Sequence, residues 1–74
     1  MTDERVNLVI EALLSGEHID VCTRSRSFSG RVWEVGRSPY DGSVRARVAD
    51  HEGRVHYFRV DRPDALVRAR RTGA

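Results

Sequence analysis

Few side chains in this sequence are equipped for covalent or metal chemistry. Cys22 is the single cysteine, and His18, His51 and His56 are the three histidines. A thiol beside an imidazole is the smallest nucleophile–base pair, so Cys22 with His18 or with His56 is the arrangement to weigh for catalysis. Alternation along the chain sets Cys22 on the face opposite Ile19 and Val21, and no acid stands where it would orient a histidine. Asp61 and Asp64 form a pair of carboxylates around Pro63, which a turn explains equally well. One cysteine makes no disulfide, and one Cys with scattered His residues lacks the paired ligand spacing of a zinc site. The glycines come one to a turn, so no phosphate-cradling loop is present. The expectation is a protein with no catalytic residue, no metal site and no cofactor, whose function is binding.

The binding candidates are mostly arginines. All 13 basic residues are Arg and none is Lys. Codon bias in a GC-rich genome accounts for this, and so does a use for the planar guanidinium fork on phosphate or carboxylate. The net charge is only +2, so placement matters more than the total. Arg24, Arg26, Arg31, Arg45, Arg47, Arg54 and Arg59 are spread over adjacent extended segments. Several of them on one face would make a positive surface for a phosphate backbone. Tyr40 would then stack on a base. The expected nucleic-acid-binding set is Arg24, Arg26, Arg31, Tyr40, Arg45, Arg47 and Arg59. Arg68, Arg70 and Arg71 add a basic tail, while Glu34, Asp50 and Glu52 interleave with the cations. For a protein partner, Trp33 and Tyr40 are the candidate anchors, since Trp, Tyr and Arg are the usual hot-spot residues. A core or lid position is the other reading of Trp33. RNA or DNA, a protein partner and a homo-oligomer all stay open as assemblies.

The elements that must position these residues are legible from periodicity. Over residues 3–15, Val6, Val9, Ile10, Leu13 and Leu14 recur at three- and four-residue steps, predicting an amphipathic helix. Thr2 or Asp3 would cap its start and Gly16 its end. The period then falls to two. Strands are expected over residues 19–24, 28–35, 44–49, 54–60 and 65–70, with Leu66 as the best core residue of the last. Gly30 inside the second strand suggests a bulge or a barrel corner. Asp41-Gly42 and the segment 50–53 read as turns, and Pro63 ends the fourth strand.

The 74 residues form one domain, and a chain of this length buries only about 60% of the surface it exposes when unfolded. That leaves little room for a deep substrate cavity. No apolar run approaches the roughly 20 residues of a membrane helix, and Met1-Thr2-Asp3-Glu4 is too acidic for a secretory signal. A secreted domain this small would need disulfide staples, so the cytoplasm is the expected compartment. One helix and five short strands with tight turns predict a mainly β fold, an N-terminal α-helix followed by a small closed five-stranded barrel.

The order of elements resembles the Sm-like superfamily, which includes the Sm and Hfq RNA-binding rings, the WYL regulatory domain and the small Rho-inhibitor (Rof) family. Ile19-Asp20-Val21 followed by Phe28-Ser29-Gly30-Arg31-Val32 is similar to the first Sm motif, where a Gly permits strong curvature. Tyr57-Phe58-Arg59-Val60-Asp61-Arg62 and then Ala65-Leu66 look like the final strands of WYL and Rof-type domains. The sequence departs from the Sm pattern in two places. The loop 36–42 lacks the base-holding Asn, and Val60 stands where Sm proteins carry the Gly of an Arg-Gly pair. The resemblance implies an SH3-like barrel acting in gene regulation, through nucleic acid or the transcription machinery.

Overall fold

The computed structural model describes residues 3–70. Its helix, α1, spans Glu4–Ser15. Asp3 caps it, its carboxylate accepting from the Arg5 backbone N–H at 2.9 Å. Gly16 closes it with φ 78°, its N–H donating to the Ala12 carbonyl. That left-handed conformation is one glycine adopts at no steric cost. The apolar stripe is centred differently from the expected one. Val9 and Ala12 are buried, with Val6, Leu8 and Leu13 packed beside them. Ile10 is 40% exposed and Leu14 82%. Ala12 has no bulk to hold the helix off the sheet, so the contact centres on Val9 and Ala12, and five residues on from Val9 the helix has turned Leu14 away.

Five strands follow: β1 (His18–Cys22), β2 (Ser27–Arg37), β3 (Val44–Ala49), β4 (Val55–Arg59) and β5 (Leu66–Arg70). They form one antiparallel sheet in the order β4-β3-β2-β1-β5. The first strand stops short of the expected end because the Thr23 N–H donates to the Arg26 carbonyl at 2.8 Å and closes the hairpin. One face of the sheet carries Ile19, Val21, Val32, Val44, Ala46, Val48, Phe58 and Val60, which with Val9 and Ala12 form the core. Leu66 is not part of it. It pairs in register with Cys22 on the outer face and is 64% exposed, while Ala65 is buried and Val67 packs on the core.

The second strand does the work of two. Its first half pairs with β1 and its second with β3, and Arg31 stands opposite both His18 and Ala49. The bend needs glycine at position 30. A Cβ there would sit 2.1 Å from the Ala49 carbonyl oxygen, a separation no side chain tolerates. Just beyond, the register shifts between Val32 and Glu34. Trp33 is the extra residue of this bulge and is turned out, 52% exposed. It is neither core nor a lid.

The curl of the sheet does not close into the expected barrel. The strand order ends at β4 on one side and β5 on the other. Side chains span part of the opening instead. Phe28 of β2 stacks on His56 of β4 with ring centres 4.4 Å apart, and Phe58 meets Phe28 edge-on at 5.5 Å. The Arg26 guanidinium donates to the Tyr57 carbonyl. The turn between β4 and β5 is held elsewhere, by Arg5 of the helix, which donates to the carbonyls of Arg62 and Ala65. Tied to α1, that turn leads β5 onto β1 rather than back along β4. No helix among the described residues is long and apolar enough to cross a membrane.

Candidate functional site

The outer face of β3 and β4 is set by alternation. With Val44, Ala46 and Val48 in the core, Arg45 and Arg47 must point the other way, and Tyr57 and Arg59 do the same on β4. Register lines them up: Glu34, Arg47 and Tyr57 stand in one row across three strands, and Gly36, Arg45 and Arg59 in the next. Arg45 donates to the Tyr57 hydroxyl at 3.3 Å. The guanidinium carbons of Arg45 and Arg47 lie 5.9 and 5.7 Å from the Tyr57 ring centre, within cation–π range. The tyrosine hydroxyl beside Arg45 raises that guanidinium's already high pKa, so its charge is fixed.

The loop after β2 completes the site. The Ser38 N–H donates to the Ser43 carbonyl at 2.8 Å, and the Gly42 N–H returns to Ser38 at 3.0 Å, with Gly42 at φ 72°. Asp41 accepts from the Ser43 N–H at 3.0 Å. That bond, with further help from the Ser43 and Ser38 hydroxyls and Arg45, lowers the Asp41 carboxyl from 3.8 to about 2. The tied loop holds Tyr40 out into solvent, 96% exposed. Glu34, Arg37, Tyr40, Arg45, Arg47 and Tyr57 line one cavity of about 330 Å³. Glu34 takes Arg47 at 3.4 Å. Among the described residues Arg45 and Arg37 have no carboxylate within ion-pair distance. The arrangement offers two guanidinium groups outside any direct ion pair beside two tyrosine rings, Tyr57 engaged and Tyr40 free, with the Asp41 carboxylate acting on Arg45.

Of the residues expected from sequence, Tyr40, Arg45 and Arg47 share this cavity. Arg26, Arg45 and Arg59 share the adjoining groove, again with Tyr57. Arg59 is bound to Asp61 at 2.7 Å, which holds that carboxyl low. Two expected residues lie elsewhere. Arg24 sits in the β1–β2 turn, its backbone N–H donating to Asp64 at 3.2 Å. Arg31 reaches the helix end, its guanidinium 3.7 Å from where a Gly16 Cβ would be, a favourable place for a cation. Trp33 lines neither space. In the basic tail, Arg71 lies outside the described residues.

Two residues that sequence reasoning missed are Tyr57 and Arg37. Alternation already set Tyr57 beside Arg59 and away from Phe58. The missing signal was the register that brings Arg47 opposite Tyr57.

No hydrogen bond joins the thiol to an imidazole among the described residues. Cys22 is exposed, with the Ser27 hydroxyl donating to its sulfur at 3.4 Å. His56 pairs with Asp50 at 2.8 Å while stacked on Phe28, and this bond holds the Asp50 carboxyl below its usual range. His18 stands between Arg31 and Arg70 in register. No group of three or more His, Cys, Asp or Glu side chains that could hold a metal occurs among the described residues. Comparisons with protein-family models, curated proteins and solved structures give no match.

Proposed function

We propose that this domain is a non-enzymatic binding module that holds single-stranded nucleic acid on the outer face of β3 and β4. The observation that carries the reading is the meeting of Tyr40, Tyr57, Arg37, Arg45 and Arg47 around one cavity, with Arg45 and Arg37 free of carboxylate partners among the described residues. A positive track beside aromatic rings is what a flexible strand needs: phosphates follow the cations and bases stack on the rings. Tyr40, exposed on a tied loop, is the stacking platform. Arg45, Arg47 and Arg59 are the phosphate contacts, and Tyr57 orients Arg45.

The Sm-like relation belongs to the same proposal. It rests on the sequence of elements, on the helix preceding the sheet, and on the bend at Gly30 that lets one strand serve both halves. A role in gene regulation follows from that relation alone.

Titrating labelled single-stranded RNA and DNA across a salt series tests the site. Affinity should fall steeply with salt, and Arg45→Ala and Arg47→Ala should each flatten the slope by about 1. No binding even at low salt overturns the reading.

A protein-binding adaptor is the second reading, favoured by the exposure of Trp33 at the bulge. Trp33→Ala should then weaken capture of a partner while leaving oligonucleotide binding unchanged.

A further inference from the structure

The open side of β4 has a backbone pattern that can be worked out residue by residue. Val60 N–H donates to the Val44 carbonyl at 2.8 Å, and Asp50 N–H to the Arg54 carbonyl at 2.9 Å. Between these two bonds the β3–β4 register runs without a shift. In an antiparallel ladder bonded and non-bonded pairs alternate. His56 and Phe58 therefore spend their backbone groups on β3, and Val55, Tyr57 and Arg59 point theirs outward. The Arg59 carbonyl takes the Arg62 N–H at 3.4 Å, and the Tyr57 carbonyl takes the Arg26 guanidinium. The outward N–H groups of Val55, Tyr57 and Arg59 have no protein acceptor among the described residues. A carbonyl has two lone pairs, so Tyr57 can still accept a second donor.

A groove of about 450 Å³ lies along residues 57–59 of this edge, lined also by Thr23, Ser25 and Pro63. Four arginines line it; Arg59 is held by Asp61 at 2.7 Å and Arg62 by Asp64 at 3.2 Å, while Arg26 and Arg45 have no carboxylate within ion-pair distance among the described residues. The strand's outer side chains share one face along the edge, from the exposed Val55 and Tyr57 to Arg59. The other open edge belongs to β5, whose outer side chains include Arg68 and Arg70. Pairing β4 of one copy with β5 of another would set arginine against arginine, which disfavours that self-pairing.

We propose that the open edge of β4 is a docking site for an extended acidic segment of a partner protein, which adds to the sheet as a further strand. Its backbone carbonyls take the Val55, Tyr57 and Arg59 N–H groups. Its side chains alternate between the two faces, carboxylates on the outer face beside Arg45 and Arg59, and small apolar groups on the opposite face, the side of His56 and Phe58. This is strand addition, in which the backbone supplies affinity and alternate side chains supply specificity. The site shares Arg45, Tyr57 and Arg59 with the proposed nucleic-acid face, and what separates the two is the β4 backbone edge, which only an added strand uses.

The probe is a short end-blocked peptide of alternating Glu and Val, followed by amide hydrogen exchange and by affinity. Binding should slow exchange at Val55, Tyr57 and Arg59. The same peptide N-methylated at alternate residues, which leaves the protein untouched, should bind at least tenfold more weakly. Val55→Pro removes one outward N–H without taking a bond from β3, and should also weaken the peptide at least tenfold while leaving oligonucleotide affinity within twofold. Equal binding by an alternating Glu-Pro peptide of the same charge overturns the proposal, because charge alone would then suffice. Protection at Val67 and Ala69 in place of the β4 amides overturns it, as does concentration-dependent protection of both edges without peptide, the mark of self-pairing. Loss of oligonucleotide binding with the peptide result intact would remove the nucleic-acid reading alone.

Discussion

The two sides of the bent second strand use arginine differently. On the β3–β4 side, Arg45 and Arg47 crowd a tyrosine, and Arg45 has no carboxylate partner among the described residues. On the β1–β5 side, Arg70 leans toward Asp20 at 3.8 Å and Arg31 serves the helix end. Similar alternating strands thus yield a surface where two guanidinium groups gather on one tyrosine ring and a surface where, among the described residues, Arg31, Arg68 and Arg70 meet no aromatic ring. Counting arginines does not separate the two; asking what each guanidinium already holds does.

The largest expected effect breaks the junction between the sides. Gly30→Ala forces the β2 and β3 backbones apart at Ala49 and should cost about 3 kcal/mol, the upper end for overpacking. Gly36→Ala, on the same strand with nothing within 4 Å of the new methyl, should shift the urea midpoint hardly at all. Equal effects would mean that Gly30 is not the hinge. Next comes the stacking contrast. Tyr40→Ala should weaken single-stranded oligonucleotide binding by about 2 kcal/mol with no change in thermal stability, whereas Trp33→Ala should leave that affinity alone.

A smaller effect compares cations directly. Arg45→Gln should lower the salt slope of binding by about 1 while Arg68→Gln leaves it in place; similar slopes for both would erase the distinction between the sides. The smallest concerns acid. Asp41 has its folded-state pKa depressed, so its contribution to stability is present above 3.8 and is lost as pH falls toward about 2. Asp50, Asp61 and Asp64 are lowered too, by His56, Arg59 and the Arg24 N–H respectively. Urea midpoints should therefore drop through this acid range, and Asp41→Asn should flatten part of the drop.

Local signals in the sequence carried the elements well. The helix with its Asp3 and Gly16 caps, the alternation of Val44 to Ala49, and the sidedness of Tyr57 and Phe58 were readable because they depend on neighbours in the chain. Non-local facts were not. Whether Leu66 or Val67 faces the core depends on pairing with β1, and whether Trp33 is buried depends on a bulge. Closure of the barrel depends on where β5 docks, which Arg5 of the helix helps to decide through two carbonyls of the preceding turn. The site was half legible for the same reason. Tyr40, Arg45 and Arg47 could be nominated by type and alternation, but only register shows that Arg47 faces Tyr57 and that Arg31 belongs to the helix.

The strand order has a kinetic consequence. The β1–β2, β2–β3 and β3–β4 ladders all join neighbours in the chain, and only β1–β5 joins strands far apart in it. Closing that long loop is the entropically slow event, so the last strand should dock late, after the hairpins have formed. Substitutions in β5 should accordingly speed unfolding while leaving the folding rate nearly untouched, and the outer face of β3 and β4 should be assembled before the chain has finished folding.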